Sequence, residues 1–120
     1  MKPLEPSVDE RCQLRAQVLK ALAHPSRLRI VEALAEGEKC VCELQALVGS
    51  DMSTVSKHLA VMKYAGVVQS RKVGLQIFYS LRVPCILQFF KCADAVLAAR
   101  YTAFARSMSG KGTDRTSDKV

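Results

Sequence analysis

The sequence predicts a mainly α-helical domain with one small β-hairpin, in the order α-α-α-α-β-β-α. Three observations predict it. Apolar residues recur at helical spacing through most of residues 9–65. That period gives way to two β-rich segments around a glycine between residues 67 and 81. A further long helical pattern opens after Pro84. The chain has 120 residues, 49% of them hydrophobic, which suits one domain with a core of its own.

Residues 1–8 hold Pro3 and Pro6 and are expected to form a flexible arm ahead of a domain over 9–106. From Asp9, the residues Leu14, Val18, Leu19 and Leu22 mark a first helix. His24-Pro25 ends it, because the residue before a proline is pushed out of the α region. Ser26 is expected to cap a second helix carrying Leu28, Ile30, Val31 and Leu34, with Gly37 as its stop. A short third helix runs from about Val41 to Val48 and ends at Gly49. Asp51 or Ser53 can cap a fourth, with Val55, Leu59 and Met62 on its inward face and Gly66 just past its end.

The segments Val67–Lys72 and Gln76–Leu81 flank Val73-Gly74-Leu75 and read as a hairpin. A last helix is expected from Cys85 to Arg106. Its apolar set, including Phe89, Phe90, Val96, Leu97 and Tyr101, is too rich for packing on one small domain. A partner subunit would cover the remainder. The polar stretch 107–120 is expected to be a disordered tail.

Charge is distributed unevenly. The net formal charge is +7, yet residues 52–93 hold Lys57, Lys63, Arg71, Lys72, Arg82 and Lys91 and no carboxylate. Such a window is a candidate phosphate-facing surface, although a solvated basic face would look the same. There is no apolar run long enough to span a membrane, and the first residues lack the apolar core of a signal peptide. The expected location is the cytoplasm, where thiols stay reduced; five cysteines, an odd number, also argue against a closed disulfide framework.

The third and fourth helices, joined by a few residues around Gly49, form a helix-turn-helix pattern. Ser53, Thr54, Ser56, Lys57 and His58 crowd the first half of the second of these helices. Short hydroxyls and a cation at a helix start can approach phosphates and base edges without bulk. The hairpin beside it carries Arg71, Lys72 and Gln76 and would serve as a wing along the duplex, setting affinity and salt dependence. The fold class is therefore a winged helix-turn-helix.

The segments LKALAHPSRLRIVEAL, CVCEL, STVSKHLAVMKYAGVV and RKVGLQIFYSL, in that order, resemble the ArsR/SmtB family of winged-helix metalloregulatory repressors over roughly Leu14 to Leu97. The resemblance implies a homodimer built on the first and last helices. It implies operator DNA as partner, contacted by Ser53, Thr54, Ser56, Lys57 and His58, with Arg71, Lys72 and Gln76 in the wing. It also implies release when an inducer binds, and no catalysis. Ser50 departs from the apolar residue that many members carry in the turn.

Cys40-Val41-Cys42-Glu43-Leu44 looks like the arsenic-sensing branch. Soft thiolates select soft ions, so arsenite, antimonite or another thiophilic metal ion is the expected inducer, with no organic cofactor. Residues i and i+2 do not share a helix face, so Cys40 and Cys42 can grip one ion only where the backbone is not helical or unwinds. Binding is therefore expected to distort the start of the third helix. The helix N-terminus and Lys39 are expected to favour the thiolate. Relatives of this branch often carry a third cysteine two residues after the acid, where this chain has Gln45. Cys12, or a water or hydroxide, is the candidate third ligand.

Cys85 and Cys92, two turns apart on one helix, would lie about 10.5 Å from each other, too far to chelate one ion within a chain. They are a possible second thiol site or buried filler. A zinc site of the SmtB kind on the last helix lacks ligands, since the histidines are His24 and His58 and that helix offers only Asp94. Two rivals remain at this level. One is a repressor that senses oxidant or persulfide through its cysteines. The other is a zinc-stabilised interaction module or small thiol enzyme. The first of these two forms would need about four clustered ligands, and the chain has no Cys-x-x-Cys.

Overall fold

The computed structural model describes residues 4–109. They divide into two units, one running to Pro84 and one starting at Cys85. The first contains α1 (Val8–Leu22), α2 (Pro25–Leu34), β1 (Lys39–Cys40), α3 (Val41–Val48), α4 (Met52–Tyr64), β2 (Val68–Val73) and β3 (Gln76–Leu81). The second contains α5 (Ile86–Ser109).

Helix α1 starts earlier than the apolar spacing suggests. Ser7 is its N-cap, and Glu10 completes a reciprocal capping box: the Glu10 N–H donates to Ser7 Oγ at 3.1 Å and the Ser7 N–H to Glu10 Oε1 at 2.8 Å. Ser7 and Val8 thus belong to the helix start and not to an arm. Only Ala21 and Leu22 of α1 are buried, while Leu14 and Leu19 are exposed. His24, not Ser26, caps α2, and its Nδ1 accepts the Ser26 N–H at 3.1 Å. The reason lies in Pro25: its fixed φ and missing N–H suit the first helical position, which moves the cap back to His24.

The turn between α3 and α4 follows from two residues. Gly49 takes φ 78°, the left-handed conformation that closes α3. Asp51 then caps α4, accepting the Thr54 N–H at 2.9 Å. Helix α4 ends with Val67 N–H bonded to the Met62 carbonyl and Gly66 N–H to that of Lys63. This double closure brings buried Val67 and Val68 straight into the sheet. The core of the first unit includes Leu22, Ile30, Val31, Leu34, Leu44, Val55, Leu59 and Met62, with Val67 just ahead of β2 and Val68 at its start.

The hairpin closes on a two-residue turn, Gly74-Leu75, with Val73 opposite Gln76. Gly74 supplies the positive φ, 62°, that such turns require. A strand the sequence did not signal joins it. Lys39 pairs with Tyr79 and Cys40 with Phe78, giving an antiparallel sheet in the order β1-β3-β2.

Helix α5 begins at Ile86, so Cys85 precedes it, and it continues to Ser109, past the expected end at Arg106. Phe89, Val96, Leu97 and Tyr101 are exposed along it. Of the expected tail, residues 110–120 lie outside the described residues. No helix among the described residues is long and apolar enough to cross a membrane.

Leu59 has no exposed surface. Leu59→Ala is expected to lower the free energy of unfolding by about 2–5 kcal/mol in urea denaturation. A change within the roughly 0.5 kcal/mol typical of surface positions would place Leu59 outside the core.

Candidate nucleic-acid interface and dithiol site

Capping and core packing orient α4. With Val55, Leu59 and Met62 turned inward, Ser53, Ser56, Lys57, Ala60 and Tyr64 form an exposed stripe at i, i+3, i+4, i+7 and i+11. Tyr64, 95% exposed, extends this face beyond the residues that the sequence singles out. Thr54 is half-buried, and its N–H is taken by Asp51. The hydrogen bonds from Thr54 hold the Asp51 carboxyl below its ordinary range, so a fixed anion sits at the tip of the helix.

His58 is not part of this face. It is 8% exposed and accepts a hydrogen bond at Nδ1 from Arg27 Nε at 3.1 Å. Its ring lies 4.4 Å from that of His24, and Arg27 Nη1 also reaches the Ala21 carbonyl at 3.4 Å. The expected DNA contact at His58 is thus replaced by a polar tie among α1, α2 and α4. Its position three residues after Val55, on the same stripe as Met62, was the available signal. Burial pushes the His58 pKa down, and the neighbouring His24 and Arg27 charges add to the shift.

In the wing, residues directly opposite share a face. Arg71 is opposite Phe78, and Phe78 is opposite Cys40, so the three line one side of the sheet together with Gln76. Lys72, opposite Ile77, lies on the other. Arg71, Lys72 and Gln76 are all exposed. Arg71 is also engaged: its Nε and Nη2 donate to Glu38 Oε2 and Oε1 at 2.7 and 2.8 Å, and its guanidinium carbon sits 5.8 Å from the Phe78 ring centroid. Lys63 Nζ donates to Ser70 Oγ at 2.8 Å and links α4 to the wing.

The thiols lie at the other end of the same ladder. Cys40 ends β1 and is also the N-cap of α3, with extended φ −79° and ψ 160°. Its N–H donates to Glu43 Oε1 at 2.8 Å. This extended cap lets the side chain meet that of Cys42, and the two Sγ atoms lie 2.7 Å apart. Cys40 thus meets the first of the two expected conditions, a backbone that is not helical at the pair, and no unwinding of α3 is needed to bring the sulfurs together. Cys40 is buried, Cys42 is exposed, and both are free thiols.

The expected preference for the thiolate is not met at Cys42. Its pKa is raised, chiefly by the hydrogen bond with the Cys40 thiol and then by burial. Lys39 is committed to Glu36 at 3.6 Å. Among the described residues no three His, Cys, Asp or Glu side chains gather as a metal site, so a single chain does not bring Cys12 to the pair. Cys12, Cys85 and Cys92 are exposed free thiols, the last two in the second unit.

Residues 24–70, from the cap of α2 to the first wing strand, match the family model described as bacterial regulatory protein, arsR family. The chain is 41% identical over 104 residues to the biofilm growth-associated repressor of Agrobacterium fabrum, covering 82% of this chain and 89% of the relative. The chain belongs to the arsR family. It is also 41% identical over 87 residues to the HTH-type transcriptional regulator Rv0081 of Mycobacterium tuberculosis, covering 72% of this chain and 76% of that one. The crystal structure of Rv0081 superposes with a TM-score of 0.71 at 37% identity, over 85% of this chain and 99% of that one. The winged helix-turn-helix domain of Mb0332 from Mycobacterium bovis, described as homodimeric, gives 0.70 at 27% identity, over 84% and 94%.

As an arsR-family protein the chain is a winged helix-turn-helix DNA-binding transcriptional regulator, not an enzyme. In this arsR-family fold, His58 makes folding stability depend on pH. Its folded pKa lies below the ordinary 6.5, so its contribution is full above 6.5 and is lost as pH falls through the depressed value. His58→Gln, which keeps an acceptor for Arg27, is expected to flatten the loss of stability between about pH 7 and about pH 5. Equal slopes for the two proteins in urea melts would remove His58 as their origin.

Proposed function

We propose that the chain is a homodimeric repressor that holds a palindromic operator through α4 and the wing, and is released when arsenite, antimonite or another thiophilic ion bridges Cys40 and Cys42. The observation that carries this is the meeting of the two free thiols at 2.7 Å on the residue that joins β1 to α3. An ion held by both thiolates would take the place of the contact between them and fix the two sulfurs around itself. One thiol belongs to the strand paired with the wing, the other to the helix packed on α4. A rearrangement on loading would thus act between the two DNA-facing elements and give the inducer different affinities for the bound and free states. Cys12 of the partner subunit, or a hydroxide, completes the site.

The dimer is supported by the exposed apolar residues of α5, by Leu14 and Leu19 on α1, and by the homodimeric relative Mb0332. Ser53, Thr54, Ser56 and Lys57 face the duplex in this reading, with Arg71, Lys72 and Gln76 in the wing. Cys85 and Cys92, one ahead of α5 and one along it, are a second place where thiol chemistry could act on the regulator.

A second reading uses the same pair as an oxidant sensor. The lack of a third ligand within one chain favours it. Peroxide would take two electrons from the dithiol, forming a disulfide and water. Oxidation would join the sulfurs directly, whereas an ion would bridge them.

An operator selected from a random duplex pool, followed by fluorescence anisotropy, tests both readings. Cys40→Ser/Cys42→Ser is expected to keep operator affinity and to lose release by arsenite. Release that persists in this variant would remove the site; release by peroxide and not by arsenite would select the oxidant reading. Separately, Lys57→Ala is expected to weaken binding and to reduce the salt slope by about one. An unchanged slope would take Lys57 off the phosphate backbone.

A further inference from the structure

The window 52–93 contains no carboxylate in sequence, yet one lies on it in space. Glu38, 33 residues before Arg71, grips the wing guanidinium with both oxygens. Gly37, at φ 131°, precedes it, and β1 follows directly. A guanidinium fork fits a carboxylate and a phosphate in the same bidentate way. The Arg71 side chain is 64% exposed and that of Glu38 31%, so a duplex can reach the pair without unfolding.

We propose that Glu38 is an internal stand-in for a DNA phosphate, holding Arg71 in the free regulator and yielding it to the duplex on binding. The inference rests on the reading that places Arg71 against the DNA backbone. The exchange limits affinity in two ways. The ion pair must open before Arg71 can serve a phosphate, and the released carboxylate then lies beside a like charge. Glu38 remains ionised in the free protein because the hydrogen bonds from Arg71 hold its carboxyl below the ordinary range. Phe78, with its ring centroid 5.8 Å from the guanidinium carbon, offers Arg71 a second, weaker contact. Wing charge is thereby masked until a duplex is correctly seated, which lowers binding to DNA at large.

Glu38→Gln, Arg71→Ala and the double variant would be titrated with a short mixed-sequence duplex and with the selected operator, across a range of salt concentrations. Thermal melts confirm that each variant is folded. Glu38→Gln is expected to bind both duplexes several-fold more tightly, with a salt slope steeper by about one. In the Arg71→Ala background the same change is expected to do nothing. If Arg71→Ala weakens binding in the Glu38→Gln background while Glu38→Gln alone binds no better than wild type, the exchange is overturned and the wing contact stands. If Glu38→Gln tightens binding equally without Arg71, the effect is general charge and the exchange is again overturned. If Arg71→Ala changes nothing in either background, the wing reading falls and the exchange with it.

Discussion

Two residues, Lys39 and Cys40, lie antiparallel to Tyr79 and Phe78, and the geometry of the site depends on that short ladder. It holds Cys40 extended at the point where α3 begins. An extended residue followed by a helical turn can place side chains i and i+2 together, which two helical residues cannot. The closeness of the thiols is therefore a product of strand pairing, not of the helix that follows. The same ladder makes Cys40 part of the sheet that carries the wing. The thiol pair and the wing are thus joined by strand pairing and not by a loop.

The helix-turn-helix is held by a different set of forces. Leu44, Val55, Leu59 and Met62 are fully buried and set the angle at which α4 is presented. Beside them sits a small polar tie of Arg27, His58 and His24. A buried donor–acceptor pair of this kind fixes orientation because leaving either partner unmatched is costly. His58 thus serves the reading helix by positioning it, while the exposed stripe of Ser53, Ser56 and Lys57 is left free of packing duties.

The surface proposed to face the duplex is less uniformly basic than its sequence. Asp51 caps α4 at the tip that would approach a phosphate, and Glu38 covers Arg71. Both carboxylates come from outside the acid-free window. In the proposed reading they would restrain an interface whose bare charge attracts any duplex, because phosphate contacts supply affinity without sequence information.

The sequence by itself determined the order of the five helices and the hairpin, the pair of soft thiols one residue apart, and the resemblance to the arsR family. Those depend on local periodicity, on Gly49 and Gly66 as helix stops, and on motif spacing, all written in neighbouring residues. It also carried Ser53, Ser56 and Lys57 correctly to an exposed face, since three inward apolar residues fix the rotation of a helix. Only the tertiary structure decided the rest. It turned His58 inward, because burial depends on what Arg27 and His24 bring from another helix. It added β1, because a two-residue strand has no periodicity of its own and exists only through its partner. It brought Glu38 to Arg71, because charges that meet across 33 residues leave no mark on any local window.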